Sequence, residues 1–360
     1  MEIKKSSDDT AKLQPGKIKT AAEFIRGGGL VIFPTETVYG LGADAFNPDA
    51  VARIYSEKGR PGDNPLILHI ANADDFFELA FESPDYSRAL IKNFWPGPLT
   101  LVAKKNPALP AWVGGHPAGK TKTVGIRMSA HPIARALIAE AGVIAAPSAN
   151  KAGKPSPTKL AHALEDFPHA TPVLSEKKFS QNSPFSAFAE KILTLDGGSA
   201  IVGLESTVVD ITGASPVILR PGAITEEQIR RVVCVSAGAD FSDAPRSPGT
   251  KYKHYAPNAQ MFVVSGEQKK FVSYVKNIRE KNFCVLAKKN TAALLKNFDA
   301  EILVLGDDEI SVAQNFFSRL RECDALGVEK IFVEAVEEKQ IGVAIMDRML
   351  KAAGGRVIYV

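Results

Sequence analysis

Two cations lie two residues apart in the segment Tyr55 to Ile70, YSEKGRPGDNPLILHI. In an extended backbone the side chains of Lys58 and Arg60 would project to the same face, just before an apolar run. Arginine offers a planar fork that fits phosphate or carboxylate, and lysine adds a compact charge. The spacing therefore predicts an anion clamp, and the alternative is a solvated basic loop.

Small polar side chains follow a second apolar run in Gly142 to Thr158, GVIAAPSANKAGKPSPT. Residues 143–146 predict a buried strand that Pro147 ends, which leaves Ser148 and Asn150 in a tight loop facing a cavity. The alternative is an ordinary turn in which these side chains bond only the local backbone.

A third segment, Gly27 to Ala43, reads GGGLVIFPTETVYGLGA. It predicts a strand over Leu30 to Phe33 and then a polar loop that carries Thr35, Glu36, Thr37 and Tyr39. Gly40 and Gly42 have no side chains, so a ligand would be able to approach the backbone closely. We expect this loop to bind a small polar ligand.

Six motifs, in this order along the chain, resemble those of the YrdC-like threonylcarbamoyl-AMP synthases: PTETVYGLGA, KGRPGDNPLILHI, WPGPLTLV, TVGIRM, APSANKAG and GLESTVVD. The K-x-R and S-x-N pairs that mark the family stand here as Lys58 with Arg60 and Ser148 with Asn150. The resemblance covers about residues 15–235. The later segment SPGTKYKHYAP and the tail resemble the long form, which has an extra C-terminal domain.

The resemblance implies an α/β (α+β) chain with two domains. A YrdC-like catalytic domain over residues 15–237 would hold a twisted mixed sheet with a concave cavity. Residues 238–258 would form a linker and an active-site lid, and residues 259–360 a C-terminal Rossmann-like domain. Strand-like and helix-like runs alternate from Gln260 to Ala353, which independently predicts a parallel α/β sheet there.

The activity that the resemblance implies is that of an L-threonylcarbamoyladenylate synthase, a nucleotidyltransferase. ATP, L-threonine and bicarbonate or CO2 would give threonylcarbamoyl-AMP and pyrophosphate, with Mg²⁺ accompanying the ATP and no metal ligand expected from the protein. A downstream transferase would then move the group to adenosine 37 of tRNA. The catalytic residues would be Lys58, Arg60, Ser148 and Asn150.

The resemblance also assigns substrate contacts residue by residue. L-Threonine would contact Thr37, His69, Arg127, Ser148 and Ser206. ATP would contact Arg60, Asn64, Thr123, Asn150, Thr158, Arg220 and Tyr255. The alternatives are a structural histidine at a strand end for His69, a surface cation for Arg127, a turn residue for Arg220 and a plain spacer for Tyr255.

The segment Gly114 to Thr121, GGHPAGKT, suggests a different kind of site, because it matches the G-x-x-x-x-G-K-T pattern of a phosphate-binding P-loop. That loop works only between a strand and a helix, whose N–H groups hold the phosphates. A proline-interrupted stretch precedes this segment and a strand-like run follows it. We therefore predict a mobile loop over the site instead of a P-loop.

Composition narrows the classes of function. The three cysteines and six histidines show no metal-binding spacing, and a net charge of +4 over 360 residues does not indicate clamping of a nucleic-acid backbone. We expect a cytoplasmic protein without membrane contact and at most a weak tRNA or RNA contact.

The remaining alternatives are a non-catalytic RNA-binding module of the same fold and a carbamoyl-transfer subunit. A long segment over 166–194 has no functional explanation.

Overall fold

The structure is a computed structural model that describes residues 15–173, 191–235 and 254–360. Most of the predicted linker (238–253) and much of the long segment (174–190) lie outside the described residues, as do residues 1–14 and 236–237. No helix in the described part of the chain is both long and apolar enough to cross a membrane.

The helices are α1 (Pro15–Arg26), α2 (Pro48–Lys58), α3 (Asp75–Leu79), α4 (Tyr86–Phe94), α5 (Pro132–Ala141), α6 (Leu160–Asp166), α7 (Glu226–Arg230), α8 (Gln268–Lys276), α9 (Lys289–Leu294), α10 (Glu309–Leu326) and α11 (Ile341–Ala353). The strands are β1 (Leu30–Phe33), β2 (Gly40–Asp44), β3 (Ile67–His69), β4 (Leu99–Lys104), β5 (Thr123–Arg127), β6 (Ile144–Ala146), β7 (Thr171–Pro172), β8 (Ile192–Thr194), β9 (Thr207–Asp210), β10 (Val217–Arg220), β11 (Gln260–Ser265), β12 (Phe283–Ala287), β13 (Glu301–Val304), β14 (Lys330–Glu334) and β15 (Val357–Tyr359).

The first ten strands form one mixed sheet in the order β10-β9-β4-β5-β3-β6-β2-β1-β8-β7. Strand β4 is parallel to β9 and antiparallel to β5, and β3 is parallel to β5 and antiparallel to β6. The mixed sheet predicted for this part of the chain is confirmed. Its hydrogen bonds bring strands that are distant in sequence, and the loops that follow them, next to each other.

Apolar layers cover both faces of this sheet. In β1, Leu30 and Ile32 belong to one buried core, while Val31 and Phe33 belong to a second core that includes residues of α1 and α5. This alternation is the two-residue period of a strand that is buried on both faces. The sheet is therefore a rigid support for the loops at its ends.

Strand β2 was not predicted, because its glycines were interpreted as part of a ligand-binding loop. A Cβ atom on Gly42 would lie 2.7 Å from Ile144 Cγ2 and 2.8 Å from Phe33 Cε1. The space beside Gly42 is thus filled by neighbouring side chains of the sheet. The idea that Gly42 admits a ligand is wrong, and its glycine instead permits close packing in the core.

The last five strands form a second sheet, β13-β12-β14-β11-β15, in which every pairing is parallel. Helices α8 and α9 contribute to the core on one face, and α10 and α11 to the core on the other. The predicted Rossmann-like C-terminal domain is confirmed. We call β11–β15 with their helices the C-terminal domain.

Candidate active site

A cavity of about 350 Å³ lies where the loops after β1 and β6 meet the end of α2 and the segment around Tyr255. All but two of the predicted site residues line this cavity. They are Thr37, Lys58, Arg60, Asn64, His69, Arg127, Ser148, Asn150, Ser206, Arg220 and Tyr255. Tertiary structure therefore brings together side chains from the whole catalytic domain and from the start of the C-terminal segment.

The two exceptions are Thr123 and Thr158, which do not line the cavity. Thr123 is half-buried at the start of β5, opposite Lys104 of β4. Thr158 is buried, and its hydroxyl oxygen lies 3.4 Å from His162 Nδ1. Their contacts with ATP stay predictions, because neither residue borders this space.

Lys58 and Arg60 both line the cavity, but the backbone conformation between them differs from the one predicted. Lys58 is the last residue of α2, and Gly59 ends the helix in the left-handed conformation with φ 61°. The extended backbone expected for this pair is therefore wrong. A helix end followed by a left-handed glycine turns the chain and aims both cations at one space.

The ammonium group of Lys58 holds the S-x-N loop. It is buried, and its Nζ donates to the carbonyl oxygens of Ser148, at 2.5 Å, and of Asn150. Burial and the nearby Arg60 charge hold the pKa of Lys58 well below its usual value. Lys58 thus fixes the loop by charge-assisted hydrogen bonds to its backbone.

Arg60 is the strongest candidate for binding an anion. Its guanidinium donates to neutral oxygens: Asn64 O at 3.1 Å, Asn64 Oδ1 at 2.8 Å and Pro65 O at 2.7 Å. Burial lowers its pKa to about 10, and the Arg220 charge acts in the same direction. Within the described ranges no carboxylate forms a salt bridge with Arg60, so its charge is available to a ligand.

The S-x-N loop is organised by its own side chains as well as by Lys58. Ser148 Oγ donates to Asn150 Oδ1 at 2.6 Å, and Asn150 Nδ2 donates to Lys151 O at 2.8 Å and Lys154 O at 3.0 Å. These are the local bonds of the ordinary-turn alternative. The loop that they stabilise also lines the cavity, so this segment is both a tight turn and part of the cavity wall.

A buried ion pair lies on another wall of the cavity. Arg127 Nη2 is 2.8 Å from Glu36 Oε1, and Ser129 Oγ donates to the other carboxylate oxygen of Glu36. Burial alone would raise the pKa of Glu36, but Arg127 and Ser129 outweigh it and hold the value below normal. The Arg127 side chain is 5% exposed, which rules out the surface-cation alternative.

His69 lies beside this pair at the end of β3. Burial, followed by the Arg127 charge, lowers the pKa of His69 to about 3, so the ring is neutral at physiological pH. His69 Nδ1 and Arg127 Nε are buried without a hydrogen-bond partner within the described residues. Buried polar atoms are normally paired, so this wall is built to receive a polar ligand.

Ser206 and Arg220 form a third polar wall. The Ser206 hydroxyl lies 2.8 Å from Thr100 Oγ1, and Arg220 Nη2 donates to Ser206 O at 2.9 Å. Both residues are almost fully buried. The guanidinium of Arg220 is therefore held against the backbone of β9 and is not a turn residue in solvent.

Tyr255 closes the cavity from the C-terminal side. It is 5% exposed, its ring lies 5.2 Å from that of Phe317, and its φ of 64° is unusual for a residue with a side chain. Ala256 N donates to Gly153 O at 2.8 Å, which connects this segment to the loop after Asn150. Residues 254–257 therefore pack on the site and are not a plain spacer.

Four further polar residues of the cavity were not predicted, namely Lys154, Ser156, Glu205 and His254. The two carboxylates of the site, Glu36 and Glu205, both lie inside the quoted motifs, as part of PTETVYG and GLESTVVD. Their place inside these motifs was the only feature of the sequence that could have identified them as site residues. Each carboxylate is paired with an arginine remote in sequence, a relation that no local pattern reveals.

The GGHPAGKT segment does not form a P-loop. Gly114 to Thr121 leads into strand β5 and not into a helix, and no residue of the segment lines the cavity. The His116 ring packs edge-on against Tyr55, with centroids 4.8 Å apart. The segment thus supports the far side of the Arg60 loop, and its predicted place over the site is wrong.

No group of metal-ligating side chains occurs in ranges 15–173, 191–235 and 254–360. The donors around the cavity are guanidinium, ammonium, amide and hydroxyl groups, and its carboxylates Glu36 and Glu205 pair with arginines. Neither carboxylate is therefore free to serve as a ligand for a hard cation such as magnesium. The remaining charged groups of the cavity are cationic, which suits an anionic ligand.

Fold and site together define a two-domain α/β protein whose cationic cavity accommodates polar, anionic ligands. Family models match residues 23–222 (Sua5/YciO/YrdC, described as telomere recombination) and residues 224–354 (threonylcarbamoyl-AMP synthase, C-terminal domain). The chain belongs to the threonylcarbamoyl-AMP synthase family, in its two-domain form, and is an enzyme of the nucleotidyltransferase type.

Relatives match over nearly the whole chain. The threonylcarbamoyl-AMP synthase of Pyrococcus abyssi is 42% identical, with 97% of both chains covered. That of Bacillus subtilis is 39% identical, with 95% of this chain and 94% of the relative covered. A crystal structure of Pyrococcus abyssi Sua5 in complex with L-threonine superposes with a TM-score of 0.80, covering 95% of this chain and 96% of that one.

Proposed function

We propose that this protein makes threonylcarbamoyl-AMP and pyrophosphate from L-threonine, bicarbonate or CO2, and ATP. The observation that carries the proposal is the juxtaposition, in one cavity, of the cationic Arg60 with a polar wall on which Arg127 Nε and His69 Nδ1 have no hydrogen-bond partner among the described residues. Two different polar ligands can therefore be held side by side. Bringing reactants together in this way contributes much of the rate enhancement in such a condensation.

L-Threonine is placed at the Arg127 wall. The Arg127 guanidinium suits the amino acid carboxylate, since its Nε has no hydrogen-bond partner among the described residues while Nη2 pairs with Glu36. The hydroxyls of Thr37 and Ser206 and the neutral His69 ring supply partners for the amino acid's hydroxyl and amine. The P. abyssi relative was crystallised with this amino acid, which supports the choice.

ATP is placed at the Arg60 end, with Asn64, Asn150, Arg220 and Tyr255 around it. The arginine charges would stabilise the phosphates and the charge that develops during transfer. Magnesium would be held by the triphosphate and by water, where it neutralises phosphate charge. No step is assigned to a protein-bound ion.

The reaction then needs few catalytic groups. The threonine amine adds to CO2 and loses a proton, which gives a carbamate. A carbamate oxygen attacks the α-phosphorus of ATP, the bond to the β-phosphate oxygen breaks, and pyrophosphate leaves with those electrons. Positioning and charge stabilisation by the arginines, Lys58 and the S-x-N loop fit this chemistry. The reactive mixed anhydride would be consumed by a separate transferase that modifies adenosine 37 of tRNA.

Pyrophosphate release from ATP and Mg²⁺ tests the proposal directly. Purified protein is assayed with threonine and bicarbonate separately and together, and the product is analysed by mass spectrometry. We expect release that requires both, with a threonine-containing AMP adduct. Release that needs neither substrate would contradict the proposed reaction. RNA binding with no turnover under any combination would instead support the non-catalytic alternative.

A further inference from the structure

The C-terminal domain packs directly on the segments that carry site residues. Val38 and Leu204 of the catalytic domain belong to the same buried core as helices α10 and α11. Gln314 Nε2 of α10 donates to Ile201 O at 2.7 Å, and a side chain at Gly203 would collide with the backbone of α10. The residue that follows Thr37 and the segment that precedes Glu205 thus pack on the second domain.

One side chain of the C-terminal domain reaches the cavity wall. Arg348 of α11 has no exposed surface, and its Nε donates to Glu205 Oε2 at 2.9 Å. The other oxygen of Glu205 accepts a hydrogen bond from Ser156 Oγ at 2.5 Å. Glu205 and Ser156 both line the cavity, and Glu205 directly precedes Ser206.

The negative charge of Glu205 would oppose anion binding in this cavity unless it is neutralised. A buried carboxylate near the nucleotide would repel phosphate and attract Arg220 away from it. Burial alone would raise the pKa of Glu205, but Arg348, Arg220 and Ser156 together hold it below its usual value. Glu205 is therefore ionised, and Arg348 supplies the compensating charge.

This ion pair is not explained by stability alone. Buried salt bridges often contribute little to folding compared with apolar residues of the same volume. Arg348 also lies 5.6 Å from the Tyr255 ring, which lines the same cavity. The position of Arg348 between Glu205 and Tyr255 links it to two walls of the site.

We propose that Arg348 is a positioning residue for the adenylation reaction, acting through Glu205: it neutralises that carboxylate, which is next to Ser206 in the sequence, and fixes it against Ser156. The C-terminal domain thereby completes the electrostatics of the nucleotide site in the other domain. This inference rests on the proposed function. It adds a role for a domain that carries none of the assigned catalytic residues.

Steady-state kinetics of full-length variants test the proposal. In Arg348→Met the uncompensated Glu205 should raise KM for ATP by about tenfold or more. Arg348→Lys keeps the charge and should show a smaller rise. The matched control is Arg319→Met, which removes a C-terminal-domain arginine whose hydrogen bonds within the described residues go to Val304 O and Glu322. Its KM should stay within about twofold of the unmodified protein.

A double variant separates this role from general damage to the fold. Adding Glu205→Gln to Arg348→Met removes the uncompensated charge and should bring KM for ATP back toward the original value. Thermal unfolding of each variant identifies any that does not fold, and Arg348→Lys and the double variant then decide the matter. An unchanged KM in folded Arg348→Met, or no recovery in the folded double variant, would overturn the inference. Absence of adenylate formation by the unmodified protein would instead refute the proposed function.

Discussion

Removal of the Arg127 side chain gives the sharpest test of how the threonine wall is built. Arg127 Nη2 and Glu36 Oε1 are 2.8 Å apart, and the two side chains are 5% and 1% exposed. Arg127→Met would leave the Glu36 carboxylate buried without its counter-charge. Among the described residues, the hydrogen bonds from Ser129 and from the Glu36 backbone would remain to stabilise it.

The expected cost follows from this geometry. Breaking a buried ion pair by removing one partner destabilises a protein by about 3–5 kcal/mol. The free energy of unfolding of Arg127→Met should fall by that amount at pH 7, which lowers Tm by about 5–15 °C. In Glu36→Gln/Arg127→Met both charges are absent, so most of the loss, all but about 1 kcal/mol, should be recovered.

Urea unfolding and calorimetric threonine titration measure the two consequences separately. Threonine binding should be lost in both variants, because both lack the guanidinium that would hold the substrate carboxylate. Stability should be lost only in the single variant. Equal stability of the two variants would refute the buried-charge argument, and threonine binding by Arg127→Met would refute the assignment of this wall to threonine.

Four further predictions concern the rest of the site and its surroundings. Arg60→Ala should abolish pyrophosphate release while circular dichroism stays unchanged, and near-normal turnover would remove Arg60 from the mechanism. Lys58→Met frees two loop carbonyls from a charged donor and should lower kcat by about tenfold or more, whereas retained kcat would show that the loop holds itself. Lys120→Ala should leave ATP affinity intact, since Lys120 is exposed and outside the cavity; loss of ATP binding would restore the P-loop interpretation. The pKa of His69 is about 3 when folded and about 6.5 when unfolded, so the unfolded chain binds more protons between these values. Its contribution to stability is complete above about pH 6.5 and falls by roughly 2 kcal/mol at pH 5. His69→Gln should weaken this acid dependence in urea unfolding, and an unaltered pH profile would contradict it.

Much of the site was predictable from motifs, but its geometry was not. The motif identified Lys58 and Arg60 as a pair. It did not show that helix α2 ends at Lys58 and that Gly59 adopts the left-handed conformation, so that the backbone between the two cations is not extended. Strand β2 was missed because glycine is rare in strands; here Gly42 makes room for Phe33 and Ile144. A local pattern cannot indicate which distant side chains will fill the space beside a residue.

The sequence by itself predicted the alternating strands and helices of the parallel α/β domain, since hydrophobic periodicity is a local property. The mixed sheet of the first domain was implied by the resemblance of its motifs to a family. The sequence also determined the types of side chain available for binding anions. Only the tertiary structure decided the pairs Glu36–Arg127 and Glu205–Arg348, whose members lie far apart along the chain. These pairs form because burial makes an unpaired charge costly, and the fold alone determines which opposite charge lies within reach.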